Sequence, residues 1–326
     1  MCTAITYKTK DHYFGRNLDL DYSYHEMVTV TPRNYPFHFR RMGSLLQHYA
    51  MIGIAYIVDD YPLYYDGINE MGLGIAGLHF PKNAVYKPEE AGKDNVAPFE
   101  FIPWILGQCA CVEEATKKLE RMHLVDLDFK ESLPLAPLHW MISDRERSIT
   151  VEAVEDGVRV YDNPVGVMTN NPAFDIQLFN LNNFMCLSPE TPRNRFCTSL
   201  PLDAYSLGMG AIGLPGDASS MSRFVKAVFT KLNSVSDSSE SASISQFFHI
   251  LHAVEMQRGC VQVGENRYEI TEYSCCCNVD RGIYYYTTYE NSQITGVDMY
   301  KEDIDGSRLV TYPLLKGQRI RMQNGG

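Results

Sequence analysis

A chain of 326 residues with 45% hydrophobic and 21% charged side chains is long enough to bury a sizeable core, in one large domain or two small ones. Lysine and arginine number 29 against 40 aspartates and glutamates, a net charge of −11 with no basic run, and a phosphate-tracking surface needs a basic stripe, so nucleic acid is excluded as a partner. No basic stretch followed by an apolar one opens the chain, apolar runs such as 101–107 are far too short to cross a bilayer, and nine cysteines, odd in number and clustered, read as reduced thiols, so a cytoplasmic protein without stable membrane association is expected.

The first eighty residues alternate apolar and polar with period two. TAITY, HYFG, MVTVTP and MIGIAYIV read as short strands, as does the nearly continuous apolar run LGIAGLHF. YPLYYDG, after Asp59 and Asp60, reads as a turn with those two carboxylates solvated in the loop before it. Pro98 opens a helix over FEFIPWILGQCA, and VEEATKKLERMHL has helical spacing. Strands resume with LHWMISD, SITVEAV, GVRVYD and VGVMTN, the last two separated by a turn at Asn163-Pro164. Two amphipathic helices follow. SSMSRFVKAVFTKLNSV is entered through LPGDASS, where serines can cap, and SISQFFHILHAVEMQRG closes at Gly259. The polar stretch 234–243 between them reads as a loop. YEITEYSCCCNV, GIYYYTTYEN and QITGVDMY form a closing antiparallel meander. No repeat or composition break appears, so the expectation is a single α+β domain over 1–326, with stacked sheets and helices on the outer faces.

Most isolated motifs carry no chemistry. GMGAIG at 208–213 fits G-x-G-x-x-G, but LPGD follows it and breaks any helix that a dinucleotide site would need. His249 and His252 share a helix face without further ligands. Of the cysteines at 275–277, only Cys275 and Cys277 can face the same way on a strand, and no C-x-x-C completes a metal set. No metal and no organic cofactor is expected.

Cys2 is different. Met1 is expected to be removed ahead of so small a residue, which would leave a thiol and an α-amine on one residue. Their ordinary pKa values lie near 8.5 and about 7.7–8.0, so nucleophile and base come pre-assembled. FGRNLDLD at 14–21 puts Arg16 and Asp19 three residues apart. If the first two strands pair as a hairpin, that segment returns beside Cys2, where an arginine favours a thiolate and a carboxylate can orient an amine.

These residues, with MCTAIT, FGRNLD, DYPLYYDGINEMGLGIAGL, PLHWMISD, NPVGVMTNNPAFDIQLFNLNN, GLPGDASSMSRFVKA and GIYYYTTYENSQI, resemble the choloylglycine hydrolase family over essentially the full length and in the same order. Within it, the likeness is closest to bacterial members that hydrolyse bile salts. The resemblance implies a four-layer αββα sandwich of the N-terminal nucleophile type and cleavage of the amide that joins a bile acid to glycine or taurine. It implies Cys2 as nucleophile, its α-amine as base, Arg16 beside the thiol, Asp19 holding the amine, Asn170 as an oxyanion donor and Arg223 completing the polar network. His79 stands where bile-salt-cleaving members usually carry asparagine and the related penicillin V acylases carry tyrosine; its backbone N–H would be the second oxyanion donor. Leu18, Val58, Tyr65, Phe129 and Leu133 would line the steroid pocket. The small-molecule partner implied is a conjugated bile salt, and the assembly a homo-oligomer, a tetramer by family habit. The same pattern leaves open a penicillin V acylase, or a non-catalytic binder of amphipathic acids.

Overall fold

The structure, a computed structural model, describes residues 1–324. Fourteen strands in chain order build its two main sheets: β1 (Cys2–Lys8), β2 (His12–Leu20), β3 (Met27–Thr31), β4 (Met51–Val58), β5 (Tyr61–Asn69), β6 (Gly74–His79), β7 (Leu138–Ser143), β8 (Ser148–Val154), β9 (Gly157–Asp162), β10 (Val167–Met168), β11 (Ile270–Asn278), β12 (Ile283–Thr288), β13 (Asn291–Asp298) and β14 (Val310–Pro313). The helices are α1 (Phe101–Leu106), α2 (Val112–Leu119), α3 (Phe174–Asn180), α4 (Ser220–Asn233) and α5 (Glu240–His252). The first sheet runs β10-β1-β2-β11-β12-β13 and the second β9-β8-β7-β6-β5-β4-β3-β14, each antiparallel throughout.

Strand alternation sorts the side chains into layers. Ala4, Phe14, Leu18, Cys275 and Cys277 of the first sheet meet Ile52, Ile54, Ala76, Leu78 and Met141 of the second in one core. The intervening Ile5, Tyr13 and Cys276 turn outward onto Phe224, Ala227, Phe247 and Leu251 of α4 and α5. On the other side, Ile75, Trp140, Ile142 and Val151 meet Phe101, Ile105, Leu106 and Val112 of α1 and α2. The order is helices, sheet, sheet, helices: an αββα sandwich. The three consecutive cysteines are small buried residues divided between two cores.

Several local expectations are corrected. YPLYYDG is the start of β5 and not a turn; the two-residue turn before it is Asp59-Asp60, both at positive φ. Proline is tolerated there because β5 pairs with β6 only over Asp66–Ile68, so the stretch before Asp66 is an edge on that side. The helix expected over VEEATKKLERMHL stops at Leu119, and Met122–Leu124 form a short strand parallel to Asp94–Val96. The last helix starts at Glu240, inside the stretch read as a loop, because Ser239 caps it by accepting from the Ala242 amide. It ends at His252, well before Gly259. At α4 the residue in the N-cap position is Ser219, but its hydroxyl caps nothing. Asp217 accepts from the Ser219 amide at 2.9 Å and the Ser222 hydroxyl at 2.6 Å instead. Helix α3 had no counterpart in the sequence reading.

Candidate active site

The hairpin of β1 and β2 has the register Cys2↔Leu18, Thr3↔Asn17, Ala4↔Arg16. Directly opposed residues point to the same face, so Arg16 lies diagonally across from Cys2 on the face turned toward the second sheet. Cys2 is 3% exposed and Arg16 0%. Thr3 and Asp19 take the other face, toward the helices.

Arg16 reaches into a gap in the second sheet. Beyond Ala76, β6 no longer pairs with β5, which leaves carbonyls on both strands unladdered. Arg16 Nη1 donates to two of them, Gly77 O at 2.5 Å and Tyr65 O at 3.2 Å. Its Nη2 has no protein partner. Burial works against the guanidinium charge, but the ionisable neighbours Cys2, Tyr273 and Asp66 outweigh it, and the pKa is raised. Asp66 is buried beside it, accepting from the hydroxyls of Tyr273 at 2.5 Å and Tyr284 at 2.6 Å.

On the helical side, Arg223 of α4 binds the chain start at several points. Nη1 donates to Cys2 O at 2.5 Å and Thr3 Oγ1 at 2.7 Å, and Nη2 to Asn170 Oδ1 at 2.7 Å. Asn170, just past β10, also accepts the Cys2 backbone N–H at 2.9 Å. Two donors on Oδ1 fix which end of the amide is which. The Nδ2 end donates one hydrogen to His79 O at 2.7 Å and keeps a second. The His79 backbone turns the same way. Phe80 N donates to Pro137 O at 2.7 Å, so by antiparallel alternation the adjacent pair His79↔Leu138 is not hydrogen-bonded. The N–H and C=O of His79 therefore point away from β7, toward Asn170. Its side chain is exposed, and partial desolvation, the N-terminal amine and His139 lower its pKa.

Asp19 is fully buried. Thr271 donates to Oδ1 at 2.6 Å, and Oδ2 has no protein partner. Burial raises its pKa against the pull of Arg223 and the N-terminal amine. Met1 is present and extends β1: its carbonyl accepts from Asp19 N at 3.0 Å, its amine donates to Asp19 O at 2.9 Å and pairs with Glu269.

The structure thus gathers Cys2, Arg16, Asp19, His79, Asn170 and Arg223 around one strand end. Leu18 and half-buried Tyr65 pack in the same inter-sheet core, and Val58 is buried where β4 ends. Phe129 stands elsewhere, 5.2 Å from Phe99 and 5.8 Å from Tyr61 with Arg40 over its ring, on a cavity of about 760 Å³ that none of the polar site residues lines. Leu133 closes a turn from Lys130. Sequence reasoning missed Thr271, Asp66 and Glu269, and also Ser220 and Gln177, which hold the backbone of Asn170; Asp66, Gln177 and Ser220 lie inside stretches that carry the family likeness, but nothing in their spacing marks them as part of the site. Among the described residues, no cluster of histidine, cysteine or carboxylate side chains is placed to hold a metal. GMGAIG contains only a short 3-10 turn, Met209–Ala211, and His249 and His252 are exposed on α5.

Comparison with known proteins covers nearly the whole chain. The family model for linear amide C–N hydrolases of the choloylglycine hydrolase family matches residues 2–312. A bile salt hydrolase/transferase of Lactiplantibacillus plantarum is 56% identical, covering 96% of this chain and 97% of that one. Another, of Clostridium perfringens, is 39% identical over 99% of this chain and 100% of its own. Among solved structures, the C2A mutant of the conjugated bile acid hydrolase of Clostridium perfringens superposes with a TM-score of 0.93 at 38% identity, covering 99% and 100%. A penicillin V acylase of Agrobacterium tumefaciens superposes at 0.74 with 22% identity, covering 97% and 92%, a likeness of fold.

Proposed function

The chain belongs to the choloylglycine hydrolase family, and we propose that it hydrolyses the amide bond of bile salts conjugated to glycine or taurine. The observation that carries this is the convergence on Cys2 of two buried arginines, a buried carboxylate and an asparagine amide, in a chain 56% identical to a bile salt hydrolase/transferase.

The reaction begins once Met1 is gone. In the unprocessed chain the Cys2 nitrogen is an amide, already donating its one hydrogen to Asn170 Oδ1, and is no base. Freed, it takes the thiol proton, and the sulfur attacks the substrate carbonyl carbon. The oxyanion that forms meets two donors, the second Nδ2 hydrogen of Asn170 and the His79 backbone N–H. Each is worth about 3–4 kcal/mol if it behaves as other oxyanion donors do. Arg16 sets a buried positive charge on the face of the thiolate. Asp19 offers its unpartnered Oδ2 to the α-ammonium, and Arg223 steadies the backbone of Cys2 and the amide of Asn170. As the C–N bond breaks, the ammonium passes its proton to the departing glycine or taurine nitrogen. Water then attacks the thioester with the same amine as base, releasing the bile acid and restoring the thiol. An amine in place of water would give acyl transfer, the second activity in the relatives' names. Leu18 and Tyr65 are the pocket residues nearest to this reading, since they share a core with Cys2; Val58, Phe129 and Leu133 would act farther along the steroid.

We propose further that the protein works in the cytoplasm as a homo-oligomer, a tetramer by family habit. No described helix is long and apolar enough to cross a membrane, and none of the nine cysteines is in a disulfide. Phe179 near the end of α3 and Met185, Phe196, Tyr205, Leu207 and Ile212 on the largely irregular stretch after it are exposed, an apolar surface suited to self-association.

Substrate competition tests the assignment. Glycine or taurine release far above phenoxyacetate release from penicillin V supports it, and the reverse ranking assigns the penicillin acylase reading. Cys2→Ala should abolish release while bile salt binding persists; full turnover in that variant would overturn the nucleophile, and binding without turnover in the processed wild type would make the protein a mere binder.

A further inference from the structure

We propose that His139 and Glu152 form a buried positioning pair that fixes the oxyanion donor Asn170; this rests on the functional reading above. Both residues lie directly opposite each other on β7 and β8 and are essentially inaccessible, at 1% and 0%. Neither touches Cys2, and no role in the reaction has been given to them.

Their hydrogen bonds have one consistent reading. His139 Nε2 lies 2.9 Å from the carbonyl oxygen of Thr169. A carbonyl only accepts, so Nε2 must carry a hydrogen. Nδ1 lies 3.2 Å from Glu152 Oε1, which leaves one proton held between the ring and the carboxyl group. Glu152 Oε1 also accepts from the Phe174 amide at 3.0 Å, tying the pair to the start of α3. Phe80 stacks on the imidazole at 4.3 Å with the rings 5° from parallel, so the ring cannot swing.

What is held is the peptide unit leading into Asn170. Its C=O end is Thr169 O, bound by His139, and its N–H end is Asn170 N, bound to Ser220 Oγ at 2.9 Å. The next peptide unit is held too, since Gln177 Nε2 donates to Asn170 O at 2.7 Å. With both flanking planes fixed, the Cα–Cβ bond of Asn170 has one direction, and its amide arrives between Cys2 N, Arg223 and His79 O. A donor preorganised in this way costs no reorganisation when the oxyanion forms. A histidine that only filled core space would not need two opposed acceptors, one of them on the residue beside the donor.

The test compares His139→Gln with His139→Asn. A glutamine amide reaches the place of Nε2 and can still donate to Thr169 O; an asparagine amide falls short and leaves that carbonyl unpaired. His139→Gln should keep kcat within about threefold of wild type, and His139→Asn should lose about 10–100-fold in kcat with KM within about twofold, less than removal of a donor outright. Iodoacetamide should alkylate Cys2 at the wild-type rate in both. The Asn170 side-chain amide resonances should shift in His139→Asn and stay in His139→Gln. A His139→Asn enzyme with wild-type kcat, or with unmoved Asn170 resonances, would overturn the proposal. If that variant does not fold, wild-type 15N spectra of labelled histidine decide, since an unprotonated Nε2 on His139 is incompatible with the pair. Asn170→Ala is the control: retained turnover there would sink the oxyanion role of Asn170, while the resonances would still report on the pair.

Discussion

Asn170→Ala tests the proposed catalytic role of one side chain apart from its structural one. The wild-type amide accepts from Cys2 N and Arg223 Nη2 and donates to His79 O. If the proposed oxyanion role holds, truncation should lower kcat by about 10²–10³ with KM nearly unchanged, because such a donor acts only as charge develops. It also strands Arg223 Nη2, a charged donor on a residue 2% exposed, at about 1.5–3 kcal/mol. At about 2.1 cal/mol/K per residue, 326 residues give an unfolding entropy of about 0.7 kcal/mol/K, so the Tm should fall by about 2–4 °C. Asn170→Asp divides the two effects: it keeps an acceptor for Arg223 but loses the donor. It should retain more of the Tm than Ala while losing at least as much kcat. Steady-state kinetics and calorimetry on fully processed protein read both. A folded Ala variant with kcat within about threefold of wild type, or a loss confined to KM, would refute the oxyanion assignment.

Protein produced with methionine aminopeptidase inhibited should lose activity in proportion to the fraction retaining Met1 by intact mass; an active retained-methionine fraction would rule out the α-amine as base. Gly15→Ala should be recovered in low soluble yield, because its Cβ would come within 2.0 Å of Cys275 O on the paired strand β11, a backbone clash that no rotamer relieves; a soluble variant with wild-type Tm counts against the close packing of β2 on β11. Burial lowers the pKa of His12 to about 4 from its ordinary 6.5, so between those values the unfolded chain binds a proton that the fold refuses. Stability should therefore fall as pH drops from about 6.5 to about 4, by up to ~3 kcal/mol from this residue. Urea titrations of wild type and His12→Gln across that range should differ in slope; equal slopes would show that His12 is not held neutral.

The part of the site built by one hairpin was legible from residue spacing. Once β1 pairs with β2, period-two alternation puts Arg16 on the face of Cys2 and Asp19 beside the chain start. Asn170 and Arg223 lie 168 and 221 residues from Cys2, and no local pattern announces contacts at that separation; they were assigned by family likeness. Thr271 reaches Asp19 past a register shift between Thr271 and Tyr273, which strict alternation cannot anticipate. The misread β5 has the same origin: Pro62 and the Asp66-Gly67 pair carry turn chemistry locally, but pairing with β4 along its length overrides it. The steroid pocket was least legible because Phe129 and Leu133 sit on connections whose course depends on what they pack against, and Phe129 turns toward Phe99 and Arg40.

On the proposed mechanism, the two polar atoms left unmatched nearest Cys2 would give removal of Met1 a consequence beyond freeing an amine. Arg16 Nη2 is a buried donor and Asp19 Oδ2 a buried acceptor, both without a protein partner, each costing about 1–3 kcal/mol while unmet. They cannot satisfy each other, since Arg16 and Asp19 extend from opposite faces of β2. Arg16 turns toward the sulfur of Cys2 and Asp19 toward the chain start, so the mismatch has the polarity of a thiolate and an ammonium on one residue. In the unprocessed chain the positive amine sits one residue too early, hydrogen-bonded to Asp19 O and paired with Glu269. Removal of Met1 would move that charge onto Cys2 itself, where Asp19 Oδ2 and Asn170 Oδ1 could both accept from it. On the proposed mechanism, the same mismatch that destabilises the unprocessed fold would favour the ion pair from which the reaction starts.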